Sequence, residues 1–231
     1  MDFQTWEPVY EGLLAAFGYP RDGDERARDR LGELLGDTET YDPATLNLRG
    51  KTVAIAGAGP SLEREADRAA GADAVLAAST AVDRLHELGV VVDAMVTDLD
   101  KNPETGRELT ESGTPVFAHA HGDNVPAVEE HVPTYDPAFV VPTTQAGPTE
   151  RVHNFGGFTD GDRAAFTADH FGAAEIRFVG WDFDDPDVTA EKREKLRWAE
   201  RLLYWLERRR DDRFAVLDGR RDDIIPVAET G

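Results

Sequence analysis

The chain of 231 residues contains no cysteine. That excludes a disulfide scaffold, a thiolate metal centre and a cysteine nucleophile. No stretch approaches the roughly 18 consecutive apolar residues of a membrane-spanning helix. The start, Met1-Asp2-Phe3-Gln4-Thr5, lacks the basic-then-apolar pattern of a secretory signal, so a cytoplasmic location is expected. Lysine is nearly missing, confined to Lys51, Lys101, Lys192 and Lys195. With 25 basic against 46 acidic residues the net charge is −21. Nucleic-acid binding needs a basic face, and this balance argues against one. At 40% hydrophobic residues the chain can still build a sizeable core.

What is present is a regular alternation of apolar strands and amphipathic helices. Trp6, Val9, Tyr10, Leu13, Leu14 and Phe17 recur at helical spacing, and Gly18-Tyr19-Pro20 ends that helix. A second helix is expected over 22–35. These two are read as an N-terminal helical appendage, residues 1–47, without chemistry of their own. Residues 48–231 read as an α/β domain. Strands are expected at 52–56, 74–78, 91–97, 115–119, 138–142, 176–180 and 214–217, with helices between most of them. Such alternation predicts a mostly parallel sheet with helices on both faces.

Chemistry gathers where these strands end. The stretch Val91 to Asp100 reads as a strand ending in two aspartates, Asp98 and Asp100. On an extended backbone, residues two apart point to one side, and two such charges repel unless a cation lies between them. A Mg²⁺ site and a pair of caps for the turn Lys101-Asn102-Pro103 are the two readings. Gly57-Ala58-Gly59-Pro60-Ser61 joins a strand to a helix N-terminus, so Gly57, Gly59 and Ser61 are candidates for anion binding; a plain tight turn is the alternative. His119, His121, Asp123 and Asn124 follow another strand. The histidines are of metal-ligating type, although a histidine at a strand end is often simply hydrogen-bonded to a loop. Gly156, Gly157, Asp160, Asp162 and Arg163 precede or open a helix, and Trp181-Asp182 follows a further strand.

Five segments occur in order: Gly57-Ala58-Gly59-Pro60-Ser61-Leu62, Thr97-Asp98-Leu99-Asp100, His119 to Asn124, Gly156 to Ala164, and Gly180-Trp181-Asp182-Phe183. This set resembles the archaeal 6-hydroxymethyl-7,8-dihydropterin pyrophosphokinases over about residues 50–206. The resemblance implies a Rossmann-like core similar to the catalytic domain of thiamine pyrophosphokinase. Asp98 and Asp100 match that enzyme's Mg²⁺-binding aspartates, while Thr97 and Lys101 stand where its motif has glycine and serine.

The activity so implied is transfer of diphosphate from ATP to the hydroxymethyl group of 6-hydroxymethyl-7,8-dihydropterin, releasing AMP, in pterin cofactor biosynthesis of the tetrahydromethanopterin or folate type. On that reading Mg²⁺ sits on Asp98, Asp100 and Asp123. Arg163, Lys192 and Lys195 stabilise negative charge, and Asp98, Asp100 and Arg163 are the catalytic residues. Gly57, Gly59, Ser61, Gly156, Gly157, Asp160 and Lys192 contact substrate or phosphate. Asn124 and Asp182, with Trp181 and Phe158, suit a flat pterin, though the two aromatic rings suit plain core equally well. ATP and a pterin are the expected partners, and a homo-oligomer is allowed. The dispersed acidity resembles that of cytosolic proteins from halophilic archaea. Two rival classes are a metal-dependent phosphohydrolase built on His119, His121 and Asp123, and a non-catalytic nucleotide-binding module. The first predicts turnover without an acceptor alcohol, the second ATP binding without AMP.

Overall fold

The computed structural model describes residues 1–227. Its strands are β1 (Thr52–Ala56), β2 (Ala74–Ala78), β3 (Ala94–Thr97), β4 (Val116–Ala120), β5 (Val140–Thr144) and β6 (Glu175–Val179). They form one six-stranded sheet in the order β5-β4-β3-β2-β1-β6. Every neighbouring pair is parallel. The helices are α1 (Phe3–Phe17), α2 (Arg21–Leu35), α3 (Leu62–Ala70), α4 (Ala81–Glu87), α5 (Pro103–Glu111), α6 (Val125–His131), α7 (Asp160–His170) and α8 (Ala190–Arg210). None is long and apolar enough to cross a membrane.

Strand side chains alternate between faces, and each set has its own core. Val53, Ile55, Leu76, Val96, Phe117 and Phe178 face one way and pack with α1, α7 and α8. Ala54, Ala56, Ala77, Met95, Ala118 and Ala120 face the other way and pack with α2 to α6. Both faces are covered, as the sequence alternation predicts for a parallel sheet. The segment read as an appendage takes part in both cores: Trp6 and Tyr10 of α1 in the first, Ala27 and Leu31 of α2 in the second. Burying a large apolar side chain contributes roughly 1.5–3 kcal/mol, so the two helices help hold the sheet.

Three expected strands differ, one of them only in that the strand expected from Ala138 begins at Val140, after the 3-10 turn Pro137–Phe139. Residues 214–217 do not form a strand. Ala215–Leu217 is a short 3-10 turn. Its flanking backbone is bound by side chains, since Phe214 N donates to Glu207 and Phe214 O accepts from Arg221, which leaves no ladder to join. A four-residue apolar run does not distinguish a strand from a buried turn by periodicity. The strand expected from Val91 starts at Ala94. Val91 is exposed, and the Asp93 carboxylate accepts from Val75 N at 2.7 Å, which places Asp93 at the strand's edge.

The chain steps outward from β1 to β5 and then returns through α7 to β6, on the other side of β1. In open sheets of this kind, ligands bind outside the carboxyl ends of the strands near such a reversal.

Candidate active site

A cavity of about 560 Å³ opens at the carboxyl ends of the strands. Loops after β1, β2, β3, β4 and β6 line it, together with the starts of α7 and α8. Its wall carries the carboxylates Asp98, Asp100, Asp123, Asp160, Asp182, Asp185 and Glu191, the cations Lys101, Arg163, Lys192 and Lys195, and the aromatic rings of Tyr19, Phe158 and Trp181.

Asp98 and Asp100 stand on a turn. Leu99 between them has φ +68°, a left-handed backbone that a leucine rarely adopts. Thr97 Oγ1 accepts from Leu99 N at 3.0 Å and caps this turn. Asp98 Oδ1 is buried without a partner, and Asp98 Oδ2 lies 3.6 Å from His121 Nε2. Burial tends to raise the pKa of Asp98, but the neighbouring His121 and Asp100 side chains and the charge of Arg163 prevail and hold it below the usual carboxylate range. Asp100 is pushed up to about 6, first by burial and then by Asp98 beside it. Burial, and next the charge of Asp98, raise Asp160 as well, against the pull of Arg163. The three acids therefore share too little positive charge.

Arg163 is buried on the first turn of α7. Its Nη1 donates to Asp160 at 3.0 Å and its Nη2 to Gln145 Oε1 at 3.3 Å, while Nε has no partner. Thr159 and Asp162 form a capping box that fixes the start of this helix. Asp162 is therefore structural, its carboxylate accepting from Thr159 N and Thr159 Oγ1. Desolvation, then the charge of Lys101, lowers the pKa of Lys192. Lys195 pairs with Glu191 at 2.9 Å.

Several expected ligand groups are occupied within the protein. Asp182 Oδ2 accepts from Ser61 N at 2.9 Å and Ser61 Oγ at 2.7 Å, so an internal carboxylate holds the α3 N-terminus where an anion was expected. Gly57 N and Gly59 N donate to Val179 O and Gly180 O. A Cβ at Gly59 would collide with Asp182 Oδ2, and one at Gly57 would lie 2.7 Å from Gly180 O. These glycines allow two loops to pack closely, and the tight-turn reading is the one the geometry favours. Ser61 lies outside the cavity lining, while Gly57, Gly59 and Asp182 remain part of it.

Gly156 and Gly157 also stand outside the lining. Gly156 N donates to Asn154 Oδ1, and a Cβ on Gly157 would lie 2.6 Å from Arg163 Cα. They bring their loop against α7, away from the cavity wall. Asn124 is buried, with Oδ1 accepting from His121 N and Nδ2 donating to Asp98 O and His119 O. It ties the β3 and β4 loops together, with both amide hydrogens committed inside the protein and the residue outside the cavity lining.

His119 is buried, 3.1 Å from Thr143 Oγ1 through Nδ1, in keeping with a histidine held by a neighbouring segment. His121 turns to Asp98, and Asp123 is exposed at the cavity wall. Among the described residues, no three His, Asp or Glu side chains converge as a metal cage. The set Asp98, Asp100 and Asp123 is thus not assembled by the protein alone, and neither is a centre on His119, His121 and Asp123. An unpartnered Asp98 oxygen beside Asp100 suits a hard cation that takes one or two carboxylates and completes its shell with water and phosphate.

Trp181 lines the cavity while its Nε1 donates to Ile55 O at 3.1 Å. Phe158 packs on Phe17 with ring centres 5.0 Å apart, and Phe17 stacks on Tyr19 at 5.4 Å. Tyr19 was read only as part of a helix stop, and neither Gln145 nor Asp24 was read as a site residue. For Asp24 a signal existed: it shares the buried stripe of α2 with Ala27, Leu31 and Leu35, and a charge on a core stripe needs partners.

A parallel α/β sheet with an acidic, lysine-rimmed cavity at its carboxyl ends has the layout of a small-molecule-binding protein. The family described as "6-hydroxymethylpterin diphosphokinase MptE-like" matches residues 30–188, and the chain belongs to it. It is 36% identical to the 6-hydroxymethyl-7,8-dihydropterin pyrophosphokinase of Methanothermobacter thermautotrophicus, over 92% of this chain and 98% of that protein. It is 35% identical to the protein of the same name from Pyrococcus furiosus, over 90% and 95% of the two chains, and 29% identical to that of Methanocaldococcus jannaschii, over 90% and 96%.

Proposed function

We propose that the protein is a pyrophosphokinase that transfers diphosphate from ATP to 6-hydroxymethyl-7,8-dihydropterin, with Mg²⁺ held at Asp98 and Asp100. The family membership sets the class of reaction. The observation that carries the metal and phosphate reading is the buried, unpartnered Asp98 Oδ1 beside Asp100, in a cavity that also presents Lys101, Lys192 and Lys195.

In this reaction the pterin hydroxyl oxygen bonds to the β-phosphorus, and the bond from that phosphorus to the α-phosphate oxygen breaks. AMP leaves. Transfers of this kind depend on positioning and charge neutralisation more than on a strong base. Mg²⁺, when bound, supplies charge neutralisation at the phosphate oxygens. The chain's own cations act on the same charge. Arg163 is fixed by Asp160 and Gln145, and the three lysines stand on the same cavity wall, a setting that suits a triphosphate. Asn124 holds the Asp98 and His121 loops at a set separation, which keeps the acid group rigid. Trp181, Phe158 and Tyr19 offer flat apolar surface for the two ring systems. Asp182, with one oxygen on Ser61, is the acid beside Trp181 able to meet a donor edge.

The test is incubation with ATP, Mg²⁺ and the dihydropterin. AMP and pterin diphosphate are expected in equal amounts, with no AMP when the pterin is left out. Release of inorganic phosphate without an acceptor would instead mark a phosphohydrolase, and ATP binding without AMP a nucleotide-binding module.

A further inference from the structure

We propose that Asp24, on α2, is a positioning residue that orients the Arg163 guanidinium through the side-chain amide of Gln145. Residue 24 lies outside the segment that matches the family, 30–188. Asp24 is 3% exposed and forms no ion pair among the described residues. Its Oδ2 accepts from Tyr10 Oη at 2.7 Å and Gln145 Nε2 at 2.8 Å, and its Oδ1 accepts from Gly122 N at 2.7 Å. A buried charge is retained only where donors surround it, and here three do.

The direction of these bonds is forced. Both Asp24 oxygens accept, from Gly122 N and from Gln145 Nε2, so the amide of Gln145 turns its NH2 toward Asp24. That leaves Oε1 on the other side, where Arg163 Nη2 donates to it. Arginine only donates. One acceptor at residue 24 therefore sets the sense of a chain running from Tyr10 through Asp24 and Gln145 to Arg163 and Asp160. The Gln145 backbone is fixed independently, its carbonyl accepting from Trp6 Nε1 and Asn154 Nδ2. The two N-terminal helices thus reach the phosphate-handling arginine without touching the cavity centre. The same carboxylate anchors Gly122, next to His121, which faces Asp98. Gly23 and Gly122 pack so closely that a Cβ on either would lie 3.3 Å from the other's Cα.

Asp24→Asn keeps the shape but supplies one acceptor where the carboxylate supplies two. Either Gly122 N faces an amide NH2, or Gln145 must flip and turn its own NH2 against Arg163. Asp24→Asn combined with Gln145→Glu restores a consistent sense. The amide introduced at position 24 donates to the carboxylate introduced at position 145, that carboxylate accepts from Arg163, and the net charge is unchanged. The experiment reads the ¹⁵N–¹H side-chain signal of Arg163 Nε, assigned with Arg163→Lys, together with turnover; only the turnover arm rests on the diphosphate-transfer reading. In Asp24→Asn the Arg163 signal should move and broaden, and kcat should fall by roughly tenfold or more with KM less affected. Both should return toward wild type in the double variant. An Arg163 signal unchanged by Asp24→Asn overturns the proposal, and so does a double variant no better than the single. If wild type shows no turnover, diphosphate transfer falls and the Arg163 signal alone decides the positioning role. Should Asp24→Asn fail to fold, Gln145→Leu takes its place, since it leaves Asp24 its Tyr10 and Gly122 donors; an unchanged Arg163 signal there overturns the proposal equally.

Discussion

Replacing Asp98 with Asn separates a metal and phosphate site from a structural turn. The Thr97 hydroxyl already caps the turn, and Asp98 Oδ1 has no partner. Removing the charge therefore breaks no backbone cap, whose loss is worth about 1 kcal/mol. It does relieve repulsion, since the charge of Asp98 helps raise both Asp100 and Asp160. It also removes the attraction of His121 and Arg163 that holds the Asp98 pKa down, and the two effects oppose each other, so metal-free stability should change by under about 1 kcal/mol. Activity should fall far more. Charge stabilisation at a metal site is worth several kcal/mol, and a loss of about 2.7 kcal/mol is a hundredfold in rate. Stabilisation by Mg²⁺ offers a readout free of turnover. A ligand at a hundred times its Kd adds about 2.7 kcal/mol to folding, and most of that should vanish in Asp98→Asn. AMP release and melting with and without Mg²⁺ are the assays. Near-normal turnover together with an undiminished stabilisation by Mg²⁺ would refute the reasoning and make Asp98 a structural residue.

Gly59→Val should destabilise the fold by roughly 1–3 kcal/mol, because its Cβ would collide with Asp182 Oδ2; a melting temperature equal to wild type would show that the two loops part easily. Stability should rise from 0.1 M toward molar KCl, because a net charge of −21 repels itself and the screening length shortens from about 10 Å to about 3 Å. A flat salt series contradicts that. His119 is held well below its usual pKa of 6.5 by burial first, then by the charges of Arg163 and His121. It stays neutral when folded but takes a proton when unfolded, so its contribution is present above pH 6.5 and lost as pH falls. Between pH 7.5 and 5.5 the wild type should lose about 1.4 kcal/mol more than His119→Gln, and equal slopes in urea melts would dismiss the effect.

The fold was legible because its signals are local. Each apolar run of four or five residues, followed by a glycine or an acid and then an amphipathic helix, is a βα unit, and a parallel sheet puts all the polar strand ends on one edge. That is why Asp98, Asp100, Asp123, Arg163 and Asp182 were placed in one cleft from spacing alone, and the cavity wall holds all of them. The failures are of one kind. Ser61, Asn124, Gly156 and Gly157 were read as free to meet a ligand, but each answers a need inside the fold: Ser61 binds Asp182, Asn124 joins two loops, and the glycines let α7 approach. Sequence shows which polar atoms lie at a strand end but not which are already satisfied, because their partners lie from a few to 121 positions away, as Ser61 and Asp182 do. The final strand failed for the same reason, its backbone bound by Glu207 and Arg221. Asp98 shows the converse. The two aspartates were placed side by side by assuming an extended chain, whereas a left-handed Leu99 is what sets them. Such strain persists only where its surroundings hold it, and it is found most often at working sites. An unpartnered buried oxygen next to a strained residue is therefore a stronger sign of a ligand than either aspartate is by its place in the sequence.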